Sequence, residues 1–219
     1  MSSPVALILG AGANIGQAVA KAFASEGYRI ALVARSPPKK PEDGILHISG
    51  DLEDPTSVAG IFDQVKKELG VPQVVVYNAA SGFGDALILP LAGFAQSLAI
   101  NTTSVYAAAQ AATAGFKTLS TGGTFIFTGN ATNVTPIPAL AGLSIGKSAT
   151  AALIQVLVGS SDKGETKYYY ADERKEDGSP AGLDIDGAAH AKLYTGLAKD
   201  PKQGPWQQTF VKGIGYKPF

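Results

Sequence analysis

The sequence predicts an α/β fold class: a doubly wound, mainly parallel sheet forming a single domain. Three observations predict it. Short continuous apolar runs, which suit strands buried on both faces, alternate with segments of helical period. The first of these runs ends in a glycine-rich turn, "GAGANIG", that opens a helix and makes the fold Rossmann-like. No linker or internal repeat divides the 219 residues, a length one α/β domain of ~200–250 residues can reach.

The elements follow in order. "VALIL" (5–9) reads as a strand, and "NIGQAVAKAFASEG" as a helix with Ile15, Val19 and Phe23 on one face and Gly27 as its stop. "RIALVAR" (29–35) is the second strand. "SPPKKPEDG" carries three prolines and is excluded from a regular helix, so "ILHISGD" is a third strand reached by a reduced crossover. "DPTSVAGIFDQVKKELG" reads as a helix with Asp54 as cap, Pro55 at its first position and Gly70 at its end. "PQVVVYNAA" is a buried strand, 91–117 an Ala-rich helix, "GGTFIFTG" a strand and "ALAGLSIGKSATAALIQVLV" a helix. The C-terminal portion is less regular. "ETKYYYA" is expected as the sixth strand, 187–198 as a helix and "WQQTFVKGI" as a last strand, with about 172–205 forming an irregular substrate or lid region.

Composition narrows the functions. Eighteen basic and eighteen acidic residues give zero formal charge, which argues against broad electrostatic binding to nucleic acid or anionic membrane. The absence of cysteine excludes disulfides, thiolate metal sites and cysteine nucleophiles, and no metal is expected. "MSSPVALILG" lacks the basic region and cleavage site of a signal peptide, and no apolar run reaches ~18 residues, so a cytoplasmic protein without a membrane span is expected.

The glycine loop, with spacing Gly-x-Gly-x-x-x-Gly over Gly10, Gly12 and Gly16, would let a pyrophosphate approach backbone N–H groups at the positive end of a helix. Gly146-Lys147-Ser148 looks like the end of a second phosphate loop but is not one. Ala141 stands where that motif needs glycine, and Pro136 and Pro138 interrupt any strand leading in.

On these residues the chain resembles the short-chain dehydrogenase/reductase family, over roughly 4–158. The family's loop places its four fixed positions at Leu9, Gly10, Asn14 and Gly16, with Ile15 between the last two, and Asn14 replaces a glycine as the residue that best tolerates positive φ. The resemblance implies NADP (NADPH) as cofactor. Arg35 stands where NADP-preferring members carry an arginine, Ala34 replaces the acid of NAD-preferring members, and Lys39 and Lys40 add positive charge. It also implies Asp51 and Leu52 beside the adenine, Asn78 and Ala79 in the strand-end motif, Asn101 near a proton-relay water, and Lys147 on the nicotinamide ribose.

The family's reduction chemistry uses Tyr-x-x-x-Lys with a serine about a dozen residues upstream. The lysine, one helical turn away, lowers the phenol pKa so that the tyrosine can protonate the oxygen that hydride attack creates. Here Leu143 stands four residues before Lys147, and Gly129 or Asn130 stands at the serine position. No tyrosine lies between Tyr106 and Tyr168, so no local shift restores the motif. The candidate catalytic residues that remain are Lys147 and Asn101. Tyr168 and Tyr170, on one face of the sixth strand, are either core aromatics or a replacement acid, and His190 is either a packed helix residue or a general acid.

Three functions stay open: an NADP(H)-dependent oxidoreductase of a small organic substrate with a non-standard proton donor, a non-redox lyase, isomerase or cyclase, and an NADP-sensing binding protein. "SGFGDALILPLAGF" (81–94), with Phe83, Leu87 and Leu89, would suit an apolar substrate wall. The two long helices imply, by the resemblance, a homodimer or homotetramer.

Overall fold

The structure is a computed structural model that describes residues 3–38, 44–82, 84–161 and 166–219. Lys39, Lys40 and Phe83 lie outside the described residues. The strands are β1 (Val5–Leu9), β2 (Arg29–Ala34), β3 (Ile45–Ser49), β4 (Val74–Tyr77), β5 (Gly123–Thr128), β6 (Thr166–Arg174), β7 (Gln207–Val211) and β8 (Gly215–Tyr216). They form one sheet in the order β3-β2-β1-β4-β5-β6-β7-β8, in which β8 alone runs antiparallel to its neighbour. The helices are α1 (Ile15–Ser25), α2 (Ser57–Glu68), α3 (Leu91–Leu98), α4 (Ser104–Phe116), α5 (Ala141–Ser160) and α6 (Gly187–Lys199).

Both faces of the sheet are covered, which is why the strands read as unbroken apolar runs. Along β1, Val5, Leu7 and Leu9 point into a core shared with α2, α4 and α5, through Val58, Ile61, Val105, Ala109, Ala151 and Ile154. The alternate residues Ala6 and Ile8 enter a second core with Val19 and Phe23 of α1 and Tyr194 and Leu197 of α6. Helix α5 is long and apolar enough, by length and composition alone, to cross a bilayer, but half of its most apolar window is buried in the fold. From β1 the chain goes to β2 on one side and later returns to β4 on the other. The carboxyl ends of β1 and β4 therefore flank the switch point where open α/β sheets bind ligands.

Four elements differ from the sequence reading. The expected helix over 91–117 is continuous but carries a π-helical turn, Ala99–Thr103, between α3 and α4, with buried Asn101 inside it. Helix α2 begins at Ser57, because Asp54 Oδ1 accepts from Thr56 N (2.9 Å) and Thr56 Oγ1 (2.6 Å) and holds a turn ahead of it. Strand β6 continues to Arg174, since β7 pairs with it from Tyr170 to Arg174; Asp172 and Glu173 therefore belong to the sheet rather than to an irregular region. The last expected strand ends at Val211 in a turn through Gly213 (φ 80°), and the residues just beyond it fold back as an unforeseen β8.

Candidate functional site

A cavity of about 340 Å³ opens at the carboxyl ends of β1, β2 and β4. Of the sequence-predicted residues, Gly10, Arg35, Asp51, Leu52, Asn78 and Ala79 line it; Asn14, Ile15, Gly16, Asn101 and Lys147 do not. Gly12 of the glycine loop and Ser81 of segment 81–94 line it too, and Val33, Glu53, Ala80 and Ile100 also line it and were missed. "GDLED" carried the signal for Glu53, but nothing local marks Ile100, which arrives from the π-helical turn.

Close approach explains the glycines. Gly10 has φ 100°, and a Cβ there would stand 2.5 Å from Ala79 N. A Cβ on Gly16 would stand 2.7 Å from Gly10 O, whereas Gly12 faces open space on the cavity. Gly10 N and Ala11 N both donate to Val33 O (3.0 Å), and Asn78 Nδ2 donates to Gly10 O (2.8 Å), so the loop is tied to the strands on either side. The expectation that Asn14 serves positive φ is corrected. Its φ is −88°, and its side chain works at a distance. Nδ2 donates to Ile185 O (2.9 Å) and Oδ1 accepts from Gly187 N (3.0 Å), fastening the start of α6 to the glycine loop.

Arg35 is largely exposed on the cavity lip, 3.8 Å from Glu53, and free to reorient. Ala34 beside it offers no carboxylate. Asp51 Oδ1 accepts from Glu53 N (3.0 Å), which fixes the turn after β3.

On the other side of the switch point the side chains turn inward. Lys147 is 2 % exposed; its Nζ donates to Thr128 O (2.7 Å) and sits 4.1 Å from the centre of the Phe127 ring. Burial pushes its ammonium down to about 7, opposed by the Asp172 carboxylate. Asp172 is fully buried and accepts from Arg174 Nε and Nη2, both at 2.7 Å. Burial raises its carboxyl to about 6 against the pull of Arg174 and Lys147, and its Oδ1 has no hydrogen-bond partner.

The remaining candidates are equally enclosed. Leu143 is buried, and Ser144 Oγ accepts from Ile137 N (3.1 Å). Asn101 Nδ2 donates to Ser81 O and Ser97 O, and the Asn101 carbonyl accepts from Thr150 Oγ1. Gly129 is bare because a Cβ there would lie 2.0 Å from the Tyr170 ring. Tyr170 OH donates to Asn130 O (2.8 Å) and accepts from Asn130 N (3.2 Å), and burial pushes its phenol well above the usual range. Asn130 Oδ1 caps a short 3-10 turn through Thr132 N (3.0 Å). Tyr168 OH pairs with Thr113 Oγ1 (2.6 Å). His190 packs edge-on against Tyr194 and Phe210, shares its Nδ1 with Asp186 O (2.9 Å), and has its pKa lowered by burial. Each of these side chains has a structural partner inside the fold.

The family model for short chain dehydrogenase matches residues 4–163. The chain belongs to the short-chain dehydrogenase/reductase family. That is an oxidoreductase family whose cofactor is NAD or NADP. The short-chain dehydrogenase/reductase fold is also what solved structures show. A metagenomic short-chain oxidoreductase described in complex with NADP superposes with TM-score 0.85 at 19% identity, over 96% of this chain and 97% of that one. An alcohol dehydrogenase from Thermococcus sibiricus, described with 5-hydroxy-NADP, gives 0.79 at 22% identity over 99% of both chains. Among curated proteins, the short chain dehydrogenase/reductase dmxR12 of Cryptosporiopsis sp. (strain 8999) is 44% identical over all of this chain and 96% of its own length.

Proposed function

We propose that this family member is an NADP(H)-dependent oxidoreductase of a small organic substrate, working with a proton donor other than the family's tyrosine and serine. The observation that carries the reading is the cavity rim: an exposed guanidinium, Arg35, follows a strand end with no carboxylate at Ala34. A guanidinium can meet a 2′-phosphate in a bidentate way, and an acid there would repel it. The residues fit the adenosine half of the nucleotide. Asp51 and Leu52 would sit beside the adenine, and the N–H of Gly12, unlike those of Gly10 and Ala11 that donate to Val33 O, would face the pyrophosphate. When bound, NADPH supplies a hydride.

With Leu143 in the tyrosine's place and Gly129 in the serine's, no side chain there protonates a developing alkoxide. A conjugated alkene or an imine, whose reduction can take its proton from water, is the substrate class that suits this chain. Segment 81–94 would wall the substrate. Leu89 tucks against Gly84 and Gly142, while Leu87 is exposed. The loop between β6 and α6 would be its lid. Two copies pairing through α4 and α5 is the assembly we favour, since Tyr106, Ile145 and Val156 leave apolar surface there. Zero net charge argues against a broad electrostatic partner such as nucleic acid or an anionic membrane.

Arg35→Ala is expected to weaken NADPH binding by about 10–100-fold, the worth of one charge-assisted hydrogen bond, and NADH binding by less than about twofold. Titration calorimetry with both nucleotides checks it, and equal losses would remove the 2′-phosphate role. Transfer of deuterium from 4-deuterated NADPH to enone and imine substrates tests the redox step. A second reading, a non-redox enzyme or NADP sensor, is favoured by the inward-turned Lys147, and binding without any transfer would select it.

A further inference from the structure

We propose that the crevice grips only the adenosine 2′-phosphate half of NADP(H), so that adenosine 2′,5′-bisphosphate is a ligand of comparable strength. The inference rests on the reading that a 2′-phosphorylated nucleotide binds at Arg35. A dinucleotide lies across the carboxyl ends of the strands, one half on each side of the switch point. On the β1–β2–β3 side the groups that would hold it, Gly12, Arg35 and Asp51, all line the cavity, and the Arg35 guanidinium is exposed.

On the β4–β5–β6 side the corresponding groups have protein partners. The Lys147 ammonium donates to Thr128 O and lies on the Phe127 ring within the core. The Asn101 carbonyl is bonded by Thr150, and the space a serine would use at Gly129 is filled by Tyr170, whose hydroxyl is bonded to both backbone groups of Asn130. Asn14, at the mouth of α1, is bonded to 185 and 187; Gly187 sits so close that a Cβ on it would be 2.6 Å from Asn14 Oδ1.

Lys147 is not held there by chance. Drawing the ammonium out toward a ribose would break its bond to Thr128 O, leaving that buried carbonyl unpaired, and its contact with the Phe127 ring. A nucleotide half that gains no contact adds no affinity, so the second half of NADP(H) rests at the site without tightening it.

The test compares dissociation constants of NADPH, adenosine 2′,5′-bisphosphate and reduced nicotinamide mononucleotide on the wild-type chain. The expected result is bisphosphate and NADPH within about threefold of each other, and no displacement of either by the mononucleotide. NADPH tighter by about thirtyfold or more would overturn the proposal while leaving the NADP(H) reading intact. Failure of both bisphosphate and NADPH to bind would overturn the reading and the proposal together. The charge-removing pair Lys147→Met/Asp172→Asn is expected to keep NADPH affinity within about threefold, and a larger loss in a folded variant would return Lys147 to the ribose.

Discussion

Asp172→Ala is expected to cost about 3–5 kcal/mol of folding stability, the penalty for leaving a buried charge without its partner. The substitution strands the Arg174 guanidinium and removes the negative charge whose field reaches Lys147. Arg174, bound to Asp172 Oδ2 by two nitrogens, keeps only Gly178 O among its bonds, and Lys147 keeps only Thr128 O and the Phe127 ring. Asp172→Asn in combination with Lys147→Met removes one charge of each sign, and is expected to cost less than the sum of the two single changes. Urea denaturation of the four proteins gives that coupling directly, and strict additivity would show that the two side chains do not sense each other.

The same pair sets a pH signature. Asp172 has its carboxyl raised from 3.8 to about 6, so the folded state binds that proton more tightly, and stability falls as pH rises through that interval. Lys147 has its ammonium lowered from 10.5 to about 7, so the folded state binds that proton more weakly, and stability is regained as pH rises from about 7 toward 10.5. The urea midpoint is therefore expected to dip between about pH 6 and 7, where both groups carry their charge inside the core. The double variant should lose that dip. A profile that keeps it would move its origin elsewhere.

Gly129→Ser and Tyr170→Ala form the second large expectation. A serine at 129 would place its Cβ 2.0 Å from one ring carbon of Tyr170 and 2.3 Å from another, and overpacking of this kind costs about 1–3 kcal/mol or more. Removing the ring instead leaves a cavity beside Phe127 and Trp206 and frees the backbone groups of Asn130, a loss of about 3–5 kcal/mol by analogy with aromatic truncations in cores. Because the two side chains compete for one volume, the double variant should be more stable than the sum of the singles predicts by at least about 1 kcal/mol. Independent effects in thermal or urea unfolding would show that Gly129 is bare for some other reason.

The strands β1, β4 and β5 and the glycine loop were legible because their signals are local. A strand buried on both faces is an apolar run, and the turn between β1 and α1 needs glycine where two backbones meet. Gly10 lines the crevice as the loop at the end of β1 requires, and Arg35, Asp51 and Asn78, named by the resemblance, line it too. The length of β6 was not legible. "ADER" reads as a polar turn, and only pairing with β7 and the ion cluster of Asp172, Arg174 and Lys147 make it strand. Asn14 misled for a related reason: its partners lie at 185 and 187, far along the chain, and no local pattern reports them.

By itself the sequence determined the doubly wound sheet and the place of the crevice beside the glycine loop, because periodicity and glycine spacing are written in neighbouring residues. By the resemblance it also set Leu143 against the family's tyrosine and Gly129 or Asn130 against its serine, as expectations. Only the tertiary structure decided which way Lys147 points. A lysine on an Ala-rich helix can reach a ligand or a partner in the core, and the choice depends on β5, which ends nineteen residues earlier and brings Thr128 O and the Phe127 ring beneath it. A buried ammonium needs an acceptor, and the Thr128 carbonyl supplies it.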